Sequence, residues 1–166
     1  MVIRHEADSD IDAITQITIA AFADCAYGHH TEQFIVTALR AAGALSVSLV
    51  AEIDGRVVGH AAFSPVTVGG QSCDWYGLGP VSVVPELQRQ GIGSALINEG
   101  IRLLKEAGGK GCVLVGDPSY YVRFGFRNVP ELTLQGVPPE VFQALAFGED
   151  VPCGAVVFHE AFFATG

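Results

Sequence analysis

The fold is decided by one stretch, residues 83–94, which reads Val83-Val84-Pro85-Glu86-Leu87-Gln88-Arg89-Gln90-Gly91-Ile92-Gly93-Ser94. It joins a β-rich run, which Pro85 stops, to a long amphipathic pattern that predicts a helix over residues 91–107. Gly91 and Gly93 have no Cβ, so a ligand can approach the backbone where this helix begins. The free N–H groups of a first helical turn and the positive end of the helix dipole favour an anion there. The stretch therefore predicts an anion-binding turn.

Two common phosphate motifs do not fit this turn. A dinucleotide GxGxxG motif would need glycine at Leu96, and no GK[ST] follows. A glycine pair alone also suits a tight turn that binds nothing. Gln88 and Arg89 add hydrogen-bond donors beside the glycines and favour the ligand-binding interpretation.

Strand and helix patterns alternate on both sides of this turn. Asp54-Gly55 predicts a type I′ hairpin turn, and Pro80 requires a bulge or a strand start near Gly79-Pro80, because proline cannot donate to a strand ladder. The order predicts a single α/β domain over residues 1–166, with a mixed, mostly antiparallel sheet flanked by helices. The other predicted elements are strands at 2–6, 46–53, 56–68, 72–84, 111–115 and 154–161, and helices that begin near residues 8 and 31 and span 117–122 and 140–146.

Composition excludes several classes of protein. Hydrophobic residues make up 49% of the 166 residues, and the formal charge is −9, which disfavours nucleic acid as a partner. The longest apolar stretches are far shorter than the 18 or so residues that cross a bilayer, so we expect no membrane span. The first ten residues contain no signal-peptide pattern. We therefore expect a cytoplasmic protein.

The cysteines and histidines do not predict a metal site. Cys25, Cys73, Cys112 and Cys153 lie far apart without a CxxC pair, which is typical of small buried thiols rather than a zinc or redox motif. The neighbouring pair His29-His30 could bind a metal, but a solvated loop is the simpler interpretation. We predict no metal.

The turn resembles a known family. Gln88-x-x-Gly91-x-Gly93 is similar to the [Gln/Arg]-x-x-Gly-x-[Gly/Ala] motif of the GCN5-related N-acetyltransferases, or GNAT family. Val81-Ser82-Val83 resembles the family's fourth strand, and residues 121–126 resemble its Tyr-x-x-x-Gly-Phe segment. Residues 116–126 are also similar to a subgroup of small, poorly characterised bacterial acetyltransferases. The resemblance covers about residues 2–128.

This resemblance implies a fold in which the fourth and fifth strands, which are parallel, splay apart around the pantetheine arm of acetyl-CoA. The backbones of Val81 and Val83 would bind that arm, with the Val83 N–H facing the thioester carbonyl. Tyr121 would protonate the departing thiolate, whereas Tyr120 is interpreted as packing. The turn would bind the pyrophosphate through Gln88, Arg89, Gln90, Gly91, Ile92, Gly93 and Ser94.

No motif identifies the base that removes a proton from the acceptor amine. Glu32, His60 and Asp117 are candidates. Each also has an ordinary structural interpretation: a carboxylate at a helix start, a buried histidine and a helix cap.

The resemblance implies an acetyltransferase that uses acetyl-CoA and direct attack by a primary amine in a ternary complex. The alternative is a non-catalytic acyl-CoA binding or sensing module on the same fold. The acceptor is a small-molecule or peptide amine that the sequence does not name, and residues 23–31 and 128–139 are expected to line its site. A homodimer is also expected, because residues 155–163 are predicted to form an apolar strand with an exposed edge.

Overall fold

The computed structural model describes residues 1–25 and 30–166. Short 3₁₀ turns connect several of its elements. The four helices are α1 (Ile11–Phe22), α2 (Glu32–Ala41), α3 (Ile92–Glu106) and α4 (Pro118–Tyr121). The eight strands are β1 (Val2–His5), β2 (Val47–Ile53), β3 (Arg56–Val68), β4 (Gln71–Val83), β5 (Gly111–Val115), β6 (Leu132–Thr133), β7 (Phe142–Ala146) and β8 (Gly154–Phe158). The α/β fold class and the mixed, mostly antiparallel sheet are as predicted.

The main sheet has the strand order β1-β2-β3-β4-β5-β7. Only β4 and β5 are parallel neighbours in it, because α3 carries the chain from one to the other. Asp54 and Gly55 have φ values of +50° and +77°, so the hairpin turn between β2 and β3 lies where the sequence predicts it.

The two parallel strands separate after a short pairing. Trp75 to Gly77 of β4 pair with Gly111 to Val113 of β5, yet β4 continues for six more residues. On its other edge, β4 has an extra residue relative to β3, since Ala61 faces Val81 whereas Phe63 faces Leu78. This irregularity confirms the bulge predicted near Gly79-Pro80. The result is an open cleft between β4 and β5.

Helices cover both faces of the sheet. On one face, α3 packs its buried residues against β2 and β3, and Gly100 leaves room for the Phe63 ring. On the other face, Ile14 of α1 and Val36 of α2 pack against Val50. Because α3 begins directly after the end of β4, this packing fixes the helix start beside the cleft.

The predicted helix at 140–146 is wrong. Residues Phe142–Ala146 form β7, which pairs antiparallel with β5 along its whole length. The pairing satisfies the backbone groups on the edge of β5 that faces away from the cleft, and this gain overrides the helix propensity of the segment. Gln143 is buried, and its side-chain Nε2 donates to the backbone oxygen of Gly116 at 3.0 Å.

The C-terminal strand is shorter than predicted and is only partly paired. β8 ends at Phe158; its residues 156–158 pair with β3, and its residues 154–155 pair with β6. Residues Glu160–Phe163 form a 3₁₀ turn that packs against α2 through Ala161. The edge predicted to be exposed is therefore paired in part, and dimerisation stays a prediction. No helix in the described part of the chain is long and apolar enough to cross a membrane.

Replacing Gly100 by Ala tests the contact that holds α3 against the sheet. Its new Cβ would overlap the Phe63 ring, so we expect the free energy of unfolding to fall by about 1–3 kcal/mol. Helix propensity alone predicts the opposite sign, a gain of up to about 1 kcal/mol. Urea unfolding of Gly100→Ala measures this, with exposed Asn98→Ala as the control on the same helix. A stabilised Gly100→Ala variant would contradict the packing.

Candidate functional site

The turn before α3 presents unpaired backbone N–H groups. Gly91 adopts a left-handed conformation (φ +89°) and is the residue from which α3 starts, with no side chain capping it. The first N–H bonded inside the helix belongs to Ala95, which donates to the oxygen of Gly91 at 3.0 Å. The amides of Ile92, Gly93 and Ser94 therefore have no helical partner. Together with the helix dipole they form an anion cradle, the term used below for residues 88–94.

Gly93 lies where the cradle faces Tyr120 and Val83. A Cβ built on it would be 3.4 Å from the Tyr120 hydroxyl and 3.9 Å from a methyl group of Val83. The Tyr120 hydroxyl also lies 3.3 Å from Ser94 Oγ. The start of α3, the end of β4 and the helix α4 thus meet around Gly93. Any branched side chain here would occupy the space in which an anion reaches the helix amides.

Two residues of β4 point their backbone groups into the cleft. The N–H of Val84 donates to the oxygen of Val58 on β3 at 2.9 Å. Successive residues of a strand direct their backbone groups to opposite edges, so Val81 and Val83 point theirs toward β5. β5 is no longer paired at this level, and these groups face the open cleft.

Gln88 has a different partner from the one that its place in the cradle suggests. Its side-chain Nε2 donates to the backbone oxygen of Val83 at 3.0 Å. The amide therefore ties the turn to the end of β4. Arg89 and Gln90 are exposed at the outside of the same turn, and Arg89 has a positive φ of 65°.

The two tyrosines of α4 lie at different places along the cleft. Tyr120 contacts the cradle, as described above. The Tyr121 ring lies against Gly116 at the end of β5, where a Cβ would be 2.5 Å from its Cε2 atom, and it packs edge-on against Phe126. Burial, followed by the charges of Tyr120, Cys112 and Asp117, raises the pKa of Tyr121 to about 12. Tyr121 is therefore a neutral phenol across the physiological pH range.

The three candidate bases have different surroundings. Asp117 caps α4, since its Oδ1 accepts from the N–H and the hydroxyl of Ser119, and these bonds lower its pKa. Glu32 is buried at the start of α2, where Oε2 accepts from the Thr31 N–H at 2.8 Å. Its Oε1 atom has no hydrogen-bond partner among residues 1–25 and 30–166. The Thr31 side chain, which precedes α2, makes no capping bond.

His60 belongs to a buried polar cluster with Glu6, Arg40 and Ser48. The Ser48 hydroxyl donates to Glu6, so its oxygen accepts from His60 Nε2 at 2.8 Å, while Arg40 pairs with Glu6 at 2.9 Å. Burial lowers the pKa of His60, and the Glu6 carboxylate 3.7 Å away opposes this only in part. Burial would raise the pKa of Glu6, but the bonds from His60, Arg40 and Ser48 hold it well below its usual range. His60 is thus neutral in the folded protein.

The described residues contain no group of three or more His, Cys, Asp or Glu side chains placed to hold a metal ion. Of the pair considered as metal ligands, His29 lies outside the described residues, and so do Ala26, Tyr27 and Gly28 of the predicted acceptor-side segment. Cys25, Cys73, Cys112 and Cys153 are all free thiols.

Comparison with known proteins identifies this arrangement. The Acetyltransferase (GNAT) family profile matches residues 11–126, which include the cradle, the diverging strands and both tyrosines. The chain belongs to the GNAT acetyltransferase family. The resemblance seen in the sequence is thereby confirmed.

Several GNAT relatives match along nearly their whole length. YhbS of Escherichia coli K12, described as an uncharacterized N-acetyltransferase, is 35% identical over 98% of this chain and 98% of its own. A GNAT family acetyltransferase of Brucella melitensis, solved in complex with acetyl-CoA, is 53% identical with a TM-score of 0.87, covering 97% of each chain. Escherichia coli YhbS, solved in complex with CoA, is 32% identical with a TM-score of 0.86, covering 99% of this chain and 93% of that one.

Sequence reasoning missed Tyr120 and Arg123 as neighbours of the cradle. Arg123 Nε donates to the Tyr120 oxygen at 2.8 Å, and its guanidinium lies over the Tyr120 ring. A signal exists in the sequence, because residues three apart on a helical segment share a face. What the sequence could not show is that this face of α4 meets α3.

The neutral state of buried His60 predicts a pH dependence of stability. The unfolded chain binds a proton at His60 below a pKa of about 6.5, whereas the folded chain resists it, so the free energy of unfolding should fall as the pH drops from 7.5 to 5.5. The slope from this one group is at most about 1.4 kcal/mol per pH unit. Urea unfolding at several pH values should give a shallower slope for His60→Gln than for the wild-type protein. Equal slopes for His60→Gln and wild type would contradict this assignment.

Proposed function

We propose that this protein transfers the acetyl group of acetyl-CoA to a primary amine by direct attack within a ternary complex. The observation that carries this proposal is the open cleft between β4 and β5, which leads to the cradle at the start of α3. The cleft offers backbone groups along an extended path, and the cradle offers N–H groups at its end. Acetyl-CoA matches this pattern, since an extended pantetheine arm is followed by a pyrophosphate.

The pyrophosphate is assigned to the amides of the cradle, from Arg89 to Ser94. Gly93 supports this fit because a Cβ there would stand between the amides and the Tyr120 hydroxyl. The pantetheine arm would then lie along β4 as an added strand, bonded to the backbone of Val81 and Val83. The Gln88 side chain stabilises the turn by its hydrogen bond to the Val83 oxygen rather than by contacting the pyrophosphate.

The chemical step needs a carbonyl made more electrophilic and a thiolate made a better leaving group. We assign the first role to the Val83 N–H, which points into the cleft and can donate to the thioester oxygen as negative charge develops there. The amine nitrogen forms a bond to the carbonyl carbon, the carbon–sulfur bond breaks, and the electron pair leaves with sulfur. The Val81 backbone, about 7 Å further along the strand, holds the arm in register.

We assign the proton of the departing thiol to Tyr121. Its phenol lies beside the end of β5, on the same face of the sheet as α3, and has no hydrogen-bond partner in residues 1–25 and 30–166. With a pKa of about 12 it stays protonated at neutral pH. Its proton goes to sulfur, and the proton released by the attacking amine is available to restore the phenol.

Direct transfer is supported by the chemistry of Cys112. It is the cysteine of β5, next to Tyr121, and it is fully buried. Burial raises the pKa of the Cys112 thiol above its usual range, so it has little thiolate with which to form an acyl-enzyme. An acceptor amine that attacks the thioester itself needs no such group.

The acceptor is assigned to the face of the sheet opposite α3. α3 and α4 cover the other face, so an amine reaches the cleft from the side of α1 and α2. Glu32 stands at the start of α2 with a buried carboxylate oxygen that has no partner among the described residues. A carboxylate of this kind suits a cationic amine better than a neutral alcohol.

Free thiols support a reducing compartment, and we place the protein in the cytoplasm on that ground.

A test of transfer measures free thiol release from acetyl-CoA over a panel of primary amines, including diamines and lysine peptides. Turnover with any amine supports the enzyme. Micromolar binding of acetyl-CoA by calorimetry without turnover over the panel would favour the sensing module instead.

Replacing Gly93 by Val should weaken acetyl-CoA binding. The added branches fill the space between the helix amides and Tyr120, so we expect the dissociation constant to rise at least tenfold, about 1.4 kcal/mol. Calorimetry measures the constant, and thermal unfolding shows that the variant is folded. Gly93 is preferable to Gly91, where positive φ would strain any side chain. Unchanged affinity in a folded variant would remove the pyrophosphate from the cradle.

Replacing Tyr121 by Phe should slow the reaction without loosening the site. The ring and its packing stay, but the proton donor is lost, so kcat should fall by roughly 100-fold while KM for acetyl-CoA changes little. Tyr76→Phe, which removes a phenol hydroxyl from the paired part of β4, is the matched control, and we expect it to retain most of kcat. Wild-type turnover in Tyr121→Phe would remove this residue from the chemical step.

A further inference from the structure

Five of the nine cationic side chains of this acidic protein have no carboxylate partner in the described residues. The chain has nine Lys and Arg residues and a net charge of −9. Four of the nine are in ion pairs, namely Arg4, Arg40, Arg56 and Arg102. The five side chains without a carboxylate within 4.0 Å in the described part of the chain are Arg89, Lys105, Lys110, Arg123 and Arg127. Of these, Arg89 belongs to the cradle, and Arg123 contacts Tyr120, whose hydroxyl lies beside Ser94 of the cradle. An arginine without a carboxylate partner can bind another anion.

Arg123 is held in position by its own neighbour on α4. Its Nε donates to the backbone oxygen of Tyr120 at 2.8 Å, and its guanidinium carbon lies 4.3 Å from the centre of the Tyr120 ring. The two contacts fix a side chain that is otherwise exposed. The N–H donors of both terminal guanidinium nitrogens are not used by these two contacts. Together they form the planar fork that binds a phosphate.

The ring that carries Arg123 also touches the cradle. The Tyr120 hydroxyl lies 3.3 Å from Ser94 Oγ and 3.4 Å from the Cβ position of Gly93. One aromatic ring thus separates the guanidinium from the first turn of α3. The nearest acidic side chain along α4, Asp117, is already occupied by Ser119.

We propose that Arg123, held on the Tyr120 ring, binds a phosphate of the acetyl-CoA nucleotide and so completes the cradle from the α4 side. This inference rests on the proposed function. Acetyl-CoA carries two phosphate groups that Arg123 could bind, the pyrophosphate and the 3′-phosphate of the ribose. Helix amides bind one side of the anion, and a guanidinium supplies the full positive charge that those amides lack.

The test measures the dissociation constant of acetyl-CoA by calorimetry for Arg123→Gln. We expect a rise of about tenfold, and a smaller rise for Arg123→Lys, which keeps the charge but loses the fork. The matched control is Arg102→Gln, which removes the same charge from an exposed site at the far end of α3 and should leave the constant unchanged. Thermal unfolding establishes that each variant is folded.

Two further measurements separate phosphate binding from packing. The loss in Arg123→Gln should shrink as the salt concentration rises, because an ionic contact is screened and a packing contact is not. Dephospho-CoA, which lacks the 3′-phosphate, identifies the source: a loss that persists with it places Arg123 on the pyrophosphate, and a loss that disappears places it on the 3′-phosphate.

The inference is overturned if folded Arg123→Gln binds acetyl-CoA like wild type, or if its loss of affinity does not depend on salt. Either result leaves the proposed function intact, because wild-type binding and turnover are measured separately. Absence of binding by the wild-type protein itself would instead overturn both.

Discussion

Two parallel strands that stop pairing leave backbone groups without partners, and this constraint organises the rest of the molecule. β5 is covered by β7 on one edge, and β4 is covered by β3. The unpaired edges beyond Gly77 and Val113 therefore face each other across the cleft. Buried backbone N–H and C=O groups need partners, so this cleft is a site for an extended ligand with alternating donors and acceptors. The bulge at residues 79–80 sets which β4 groups point into it.

The start of α3 and the two tyrosines of α4 give the cleft two chemically different ends. Consecutive residues of a helix point about 100° apart, so Tyr120 and Tyr121 contact different groups although their ring centroids are only 4.9 Å apart. Tyr120 meets the polar start of α3, where anions are favoured, whereas Tyr121 lies among Cys112, Phe126 and Gly116. A low-polarity environment keeps a phenol protonated, whereas the start of a helix attracts negative charge. A helix start that favours an anion and a phenol that stays protonated thus lie next to each other in the cleft.

Local signals in the sequence predicted the parts of the fold that are set by local chemistry. Asp54-Gly55 and Gly91 need positive φ values, and both turns lie where these residues predict them. β7 was predicted as a helix because Gln143, Ala144 and Leu145 favour helices, and only its pairing with the edge of β5 decides otherwise. The cluster of Glu6, Ser48 and His60 joins three strands or loops far apart in the chain, so no local pattern could show it.

The face of the cleft opposite α3, to which we assign the acceptor, is assembled in that same long-range manner. Ser64 pairs with Gly77, the last residue of β4 that bonds to β5, and its buried hydroxyl has no partner among the described residues. A Cβ at Gly77 would overlap the Phe158 ring of β8, and Phe158 in turn packs against Phe162. Hydroxyl and aromatic groups from β3 and β8 thus border the cleft on the face opposite α3. Because the cradle is one continuous segment, residues 88–94, and this face is built from separate segments, substitutions on this face can alter its shape while the cradle is unaffected.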